Sequence, residues 1–152
     1  MSKNDNTTRP AEIRSCYCLA LRQAARRVTQ VYDRALAPAG LRGTQLPILA
    51  RLAEAGPTPM KALAAFMVMD RATLGHNIRP LEAQGLVALT VGADRRSRLV
   101  ALTDTGRTRL ETARRLWRDA QDQFESAFGA DNAAALRTLL NQVSHADYQR
   151  LE

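Results

Sequence analysis

Lysine is nearly absent from this chain. Of 22 Lys+Arg in 152 residues only Lys3 and Lys61 are lysine, so the net charge of +7 over 15 Asp+Glu is almost wholly arginine. Cysteine is as scarce, with Cys16 and Cys18 alone, which excludes a disulfide framework. A C-x-C pair also supplies only two of the four ligands zinc wants, and His76 and His145 lie far off in sequence. No metal and no other cofactor is expected. Long apolar runs are missing, so no membrane span is expected, and "MSKNDNTTRP" lacks the apolar core of a signal peptide. A cytoplasmic protein with a disordered tail over residues 1–10 follows. Absent too are a Ser-His-Asp pattern, a pair of acids placed for acid–base work, and a Gly-rich phosphate loop. An enzyme is not expected.

What is present is helix. Residues 11–37 carry Ile13, Tyr17, Ala20, Ala24, Val28, Val31 and Ala35 at steps of three and four, which predicts one continuous amphipathic helix ended by Pro38 and Gly40. Arg14, Arg22, Arg26, Arg27 and Arg34 occupy its other sides. A second helix over 44–55 takes Pro47 in its first turns. Thr103 can cap a long helix reaching Phe128, striped by Leu110, Ala113, Trp117, Ala120, Phe124 and Ala127. Gly129 stops it, and Asp131 caps a last helix bearing Leu136, Leu139, Leu140 and Val143. Terminal helices this long and this narrowly striped need a partner to cover them. The chain reads as one domain over 11–152, with 11–37 and 104–152 as dimerisation helices and 44–102 as a winged helix-turn-helix. The fold class is mainly α with a small β-hairpin wing.

The stretch 58–102 organises the rest. Thr58 is expected to cap a short helix with Pro59 at its first position, where a missing N–H costs nothing. That helix runs over 60–66. A turn through Met67, Val68 and Met69 leads to Asp70, the expected N-cap of a helix ending near Gln84, with Gly85 beyond it. Leu74, Ile78 and Leu81 form its inward row. Arg71, Ala72, Thr73, His76 and Arg79 are assigned to the outward face, little bulk with donors among them, as a helix lying in a DNA major groove needs. Two β-rich runs, 86–90 and 99–102, then flank a loop carrying Arg95, Arg96 and Arg98. Such a basic tip can meet phosphates or enter the minor groove. Asp94 is expected to brace this wing by pairing with Arg98. Arginine's planar fork suits phosphate and guanine better than lysine's point charge. A GC-rich genome also raises arginine, so its clustering on the wing decides more than its total.

The motifs "DRATLGHNIRPLEAQGLV", "DRRSR" and "LVALTDTGRTRL", in that order and spacing, resemble the MarR family of bacterial transcriptional regulators. The resemblance extends over roughly 19–116. It implies a homodimeric, sequence-specific regulator of double-stranded DNA with a palindromic operator, usually a repressor, tuned by a small-molecule effector or an oxidant. DNA contacts fall on Arg71, Thr73, His76, Arg79, Arg95, Arg96 and Arg98, with Asp70 and Asp94 as supports. Pro80 departs from the pattern, since inside a helix it costs about 3 kcal/mol unless packing absorbs it. Gly75 and Asn77 depart as well, where the family often has a hydroxyl and an apolar residue. Cys16 and Cys18 are either inert or a redox sensor. The peroxide-sensing branch of the family carries a cysteine and, fourteen residues later, a tyrosine, matched here by Cys18 and Tyr32. Arg22 stands where that branch has a further tyrosine. A Cys16–Cys18 bond is not expected, because residues i and i+2 of a helix point apart. An architectural DNA-binding protein without strong sequence preference is the alternative.

Overall fold

The computed structural model describes residues 13–92 and 98–148. Its elements are α1 (Tyr17–Leu36), a 3₁₀ turn (Ala37–Ala39), α2 (Leu46–Ala55), β1 (Thr58–Pro59) and α3 (Met60–Phe66). There follow α4 (Arg71–Ala83), β2 (Val87–Val91), β3 (Arg98–Leu102), α5 (Asp104–Phe128) and α6 (Ala130–His145). The three strands form an antiparallel sheet in the order β1-β3-β2, with Thr58 opposite Val100 and Val91 opposite Arg98.

The core lies in the middle of the chain. Leu36, Ile48, Leu49, Leu52, Leu63, Leu74, Leu81, Leu86, Val100 and Leu110 are all at or below 2% exposure. They come from α1's last turn, α2, α3, α4, the turn before β2, the sheet and α5's start, so the central elements share one apolar centre. Each such leucine contributes about 1.5–3 kcal/mol relative to an exposed one.

The structure corrects the expected elements at three places. The N-terminal helix is not continuous: Ser15 is a turn and Cys16 an extended N-cap (φ −71°, ψ 114°), so the long helix begins at Tyr17. Ser and Cys are modest helix formers, and every residue from 13 to 27 is exposed, so no packing overrides local preference there. Thr58 does not cap α3. It is buried in β1, its hydroxyl donates to the Gly56 carbonyl, and Pro59 stands at the N-cap without a side-chain bond. Sheet pairing with Val100 claims Thr58's backbone instead, while Pro59 is tolerated at the edge. Gly129, not Asp131, is the N-cap of α6. Its φ of +91° suits a glycine that both ends α5 and starts α6, and Asp131 lies in the first turn, where a negative charge favours the helix dipole.

Pro80 leaves α4 unbroken through Ala83. Buried Ile78 and Leu81 flank an exposed Pro80, so core packing holds the turn while the lost hydrogen bond falls on the wet side. The 1–10 tail, the first residues of the expected N-terminal helix, and Asp94, Arg95 and Arg96 of the wing lie outside the described residues.

Candidate nucleic-acid interface

The helix-turn-helix is α3, its turn, and α4. Met67 N–H bonds the Leu63 carbonyl at 3.0 Å and Met69 N–H the Ala64 carbonyl at 2.9 Å, so α3 closes with a tight turn. Val68 takes φ +51° within it, the only described non-glycine residue with positive φ, and is 82% exposed. A β-branched residue in the left-handed region is strained.

Asp70 then starts α4 with both carboxylate oxygens engaged by one residue. Oδ1 accepts from Thr73 N–H at 2.8 Å and Oδ2 from the Thr73 hydroxyl at 2.7 Å. Those two bonds, the backbone one first, hold the Asp70 carboxyl below its usual range. Asn77 adds a second brace, donating from Nδ2 to the Thr73 carbonyl at 3.0 Å. Behind this edge Leu74, Ile78 and Leu81 are buried at 0, 2 and 0% exposure, which fixes how α4 sits on the core.

Arg71, Thr73, His76 and Arg79 are all exposed. Their positions on the helix differ. Arg71 precedes Leu74 and Ile78 by three and seven residues, so it heads the buried row rather than standing opposite it. His76 and Arg79 lie on the far side. His76, Asn77, Pro80 and Gln84 also line a polar cavity of about 510 Å³ against Asp33 and the segment around Arg42 and Gln45. Sequence periodicity had not pointed to that cavity, because its second wall comes from a distant loop. There Asp33 Oδ1 accepts from Gly43 N–H at 2.7 Å and Gln45 Oε1 from Arg42 N–H at 3.0 Å.

The wing is tied to the end of α4. Leu86 N–H bonds the Leu81 carbonyl and Gly85 N–H the Glu82 carbonyl, both at 2.9 Å, with Gly85 at φ +68°. Thr103 closes the hairpin from the other side, its hydroxyl donating to the Gly85 carbonyl at 2.6 Å and accepting from Gly106 N–H at 3.0 Å. Gly106 permits the contact: a Cβ there would stand 2.0 Å from the Leu86 carbonyl oxygen. The L-T-x-x-G stretch is therefore a clamp between α4, the sheet and α5. Arg98, expected on the loop, instead begins β3, exposed and opposite Val91 at the end of the ladder next to the loop, because sheet pairing extends one residue further than expected.

Not every arginine is free for DNA. Arg109 donates from Nη1 to the Ala39 carbonyl at 2.9 Å, bridging α5 to the 3₁₀ turn. Cys16 and Cys18 are exposed free thiols. Tyr32, matched by resemblance to a sensing tyrosine, instead donates its hydroxyl to Gln121 on α5. Burial, and secondarily Glu125, raises its pKa. A second cavity of about 1100 Å³, overwhelmingly apolar, opens between α1, α5 and α6, with Tyr17, Leu21, Val28, Phe124, Leu136 and Leu140 among its walls. Among the described residues no group of three or more His, Cys, Asp and Glu could hold a metal ion, and no helix is long and apolar enough to cross a membrane.

Comparison with known proteins agrees with this geometry. A family model described as MarR family matches residues 39–97. An HTH-type transcriptional regulator of Bacillus subtilis, YwoH, is 30% identical over 91 residues, 60% of this chain and 66% of that protein, so the match spans just under two thirds of that relative. The transcriptional regulator MosR of M. tuberculosis, solved in complex with DNA, is 34% identical with a TM-score of 0.71, covering 87% of this chain and all of that one (100%). The transcriptional repressor CouR bound to a 23-mer DNA duplex is 28% identical with a TM-score of 0.79, covering 88% and 96%. CouR has also been solved with p-coumaroyl-CoA, at 25% identity and a TM-score of 0.80 over 90% and 96% of the two chains.

Proposed function

Since the chain belongs to the MarR family of winged helix-turn-helix transcriptional regulators, we propose that it is a homodimeric, sequence-specific repressor whose hold on a palindromic operator is loosened by a small molecule or an oxidant. The observation that carries this reading is α4 itself. Its buried row locks the helix to the core, and its remaining faces present short or hydrogen-bonding side chains to solvent beside the hairpin. A helix so held can enter a major groove with Thr73, His76 and Arg79 near base edges or phosphates, Arg71 nearer the backbone at the helix start, and Arg95, Arg96 and Arg98 reaching phosphates or the minor groove.

Dimerisation rests on the terminal helices α1, α5 and α6. The apolar cavity between α1, α5 and α6 is open, and Leu139, Leu140 and Val143 are 58, 40 and 41% exposed. A second copy would cover them and set two recognition helices about 34 Å apart, one turn of DNA. Effector control finds support in CouR, which binds DNA and an aromatic acyl-CoA on the same fold, and in the polar cavity whose wall is the recognition helix. An oxidant would act at Cys16 or Cys18. Because Cys16 is extended and outside α1, the helical geometry that keeps residues i and i+2 apart does not hold between them.

Selection of bound sites from random duplex DNA tests the reading. A regulator yields a palindromic motif and prefers it over random sequence by about 10³ or more. An architectural protein yields no motif and a ratio near unity. On the selected site Arg96→Ala should lower affinity without lowering stability, and flatten the slope of log K against log salt by about 0.9 if Arg96 meets a phosphate. Loss of binding on peroxide treatment, absent in the Cys16→Ser, Cys18→Ser protein, would assign the effector role to oxidant. Binding that persists through peroxide assigns it to a small molecule.

A further inference from the structure

Thr73 stands in the first turn of α4, the part of a recognition helix that approaches base edges, and its side chain is exposed. A free threonine hydroxyl is ambiguous there, since it rotates and can donate or accept. This one is not free. Its oxygen lies 2.7 Å from Asp70 Oδ2, while Asp70 Oδ1 is held by Thr73 N–H at 2.8 Å. An ionised carboxylate only accepts, so the hydroxyl proton belongs to Asp70. What Thr73 turns outward is lone pairs. The Thr73 carbonyl is bonded by Asn77 Nδ2, which holds the same turn from its other end.

We infer that Asp70 fixes the polarity of Thr73, making it an acceptor-only reader that selects an amino base, adenine or cytosine, at one operator position. In the major groove adenine N6 and cytosine N4 are donors, whereas guanine N7 and O6 and thymine O4 are acceptors. The oriented hydroxyl matches the first pair and opposes the second, and it cannot donate to a phosphate. Asp70 thereby acts as a positioning residue for specificity as well as a helix cap. The inference rests on the proposed operator-binding role.

The test is site selection from random duplexes with four proteins: wild type, Thr73→Val, Thr73→Ser and Asp70→Asn. Valine keeps the shape and removes the hydroxyl, so one position per half-site should lose its preference by about fivefold, the worth of one hydrogen bond. Each base pair carries one amino base, so what the acceptor reads is which strand holds it: in wild type one and the same strand should show adenine or cytosine at that position, and serine should preserve that choice. Asparagine is an equally good N-cap. Its Oδ1 must face Thr73 N–H, which turns Nδ2 toward the hydroxyl and frees the hydroxyl proton to point outward. Asp70→Asn should therefore move the preference toward guanine or thymine. A motif unchanged in Thr73→Val, a wild-type position that accepts adenine and guanine alike on the same strand, or an amino base kept on the same strand in folded Asp70→Asn overturns the inference. If thermal unfolding shows Asp70→Asn to be unfolded, the valine–serine pair decides alone. A wild-type protein that selects no motif would instead overturn the operator-binding role itself.

Discussion

The two halves of this molecule bury apolar surface to very different degrees. From Leu36 to Leu110 the leucines and valines on α2, α3, α4 and the sheet close on one another, and ten side chains are essentially inaccessible. In α1 before Leu36, and along α6, the same residue types stay open: Tyr17 is 86% exposed, Leu21 41% and Leu139 58%, and Ala133 is the one residue of α6 that is buried. Both halves have amphipathic helices with good periodicity. The central half has a third and fourth element to pack against, supplied by the sheet and by the start of α5. The terminal half has only helices along the side of an unfilled groove. Amphipathic pattern thus promises burial without saying whether the covering surface lies in the same chain.

The hardest way to break the central half is Gly106→Ala. The new methyl would meet the Leu86 carbonyl at 2.0 Å and Leu102 Cδ1 at 2.7 Å, and the first is backbone that cannot swing aside. A loss of about 3 kcal/mol or more is expected, at the upper end for overpacking, read from urea unfolding. Leu140→Glu with Val143→Glu tests the terminal half. It should leave a folded monomer by sedimentation and circular dichroism, because neither residue is part of the buried core. Operator affinity should then fall about 10²-fold as two-site engagement is lost. A double variant that still sediments as a dimer would move the interface elsewhere.

Smaller changes sharpen the contrast within the central half. Thr103→Ala removes the N-cap of α5 and the bond to Gly85 together, and should cost about 1 kcal/mol of stability. Since Gly85 ends the recognition helix, the same variant should weaken DNA binding more than its stability loss accounts for. Val68→Gly goes the other way. It relieves a left-handed valine worth about 1–2 kcal/mol, offset by about 0.5–1 kcal/mol of added chain entropy, so a small gain in melting temperature is expected. A lower melting temperature would mean that the Val68 side chain contributes packing its 82% exposure does not suggest.

Much of the winged helix-turn-helix was legible in residues close together in the chain. Asp70, with an apolar row beginning four residues on, marks the start of α4; Gly85 marks its end; Thr103 and Gly106 mark the exit from the wing. These are local signals, because a cap or a helical row is built from groups within a few residues. Thr58 shows the limit. Its sequence context, threonine before proline before an apolar run, is that of a helix cap, and only a partner 42 positions away, Val100, turns it into a strand. Arg71 needed no such partner. It was assigned to the outward face beside Ala72 and Thr73, and it is exposed at the first position of α4, three residues before the buried Leu74.

The sequence by itself determined the order of helices and hairpin, the inward row Leu74, Ile78 and Leu81 of α4, and the arginine bias, since periodicity, capping and charge are written in neighbouring residues. Tertiary structure decided that Thr58 pairs in a strand with Val100 instead of capping a helix, which wall of α4 borders a cavity, and which amphipathic faces find cover within the chain. Those depend on whether a surface finds cover and on which acceptor lies within reach, and both are set by segments that meet only when the chain has folded.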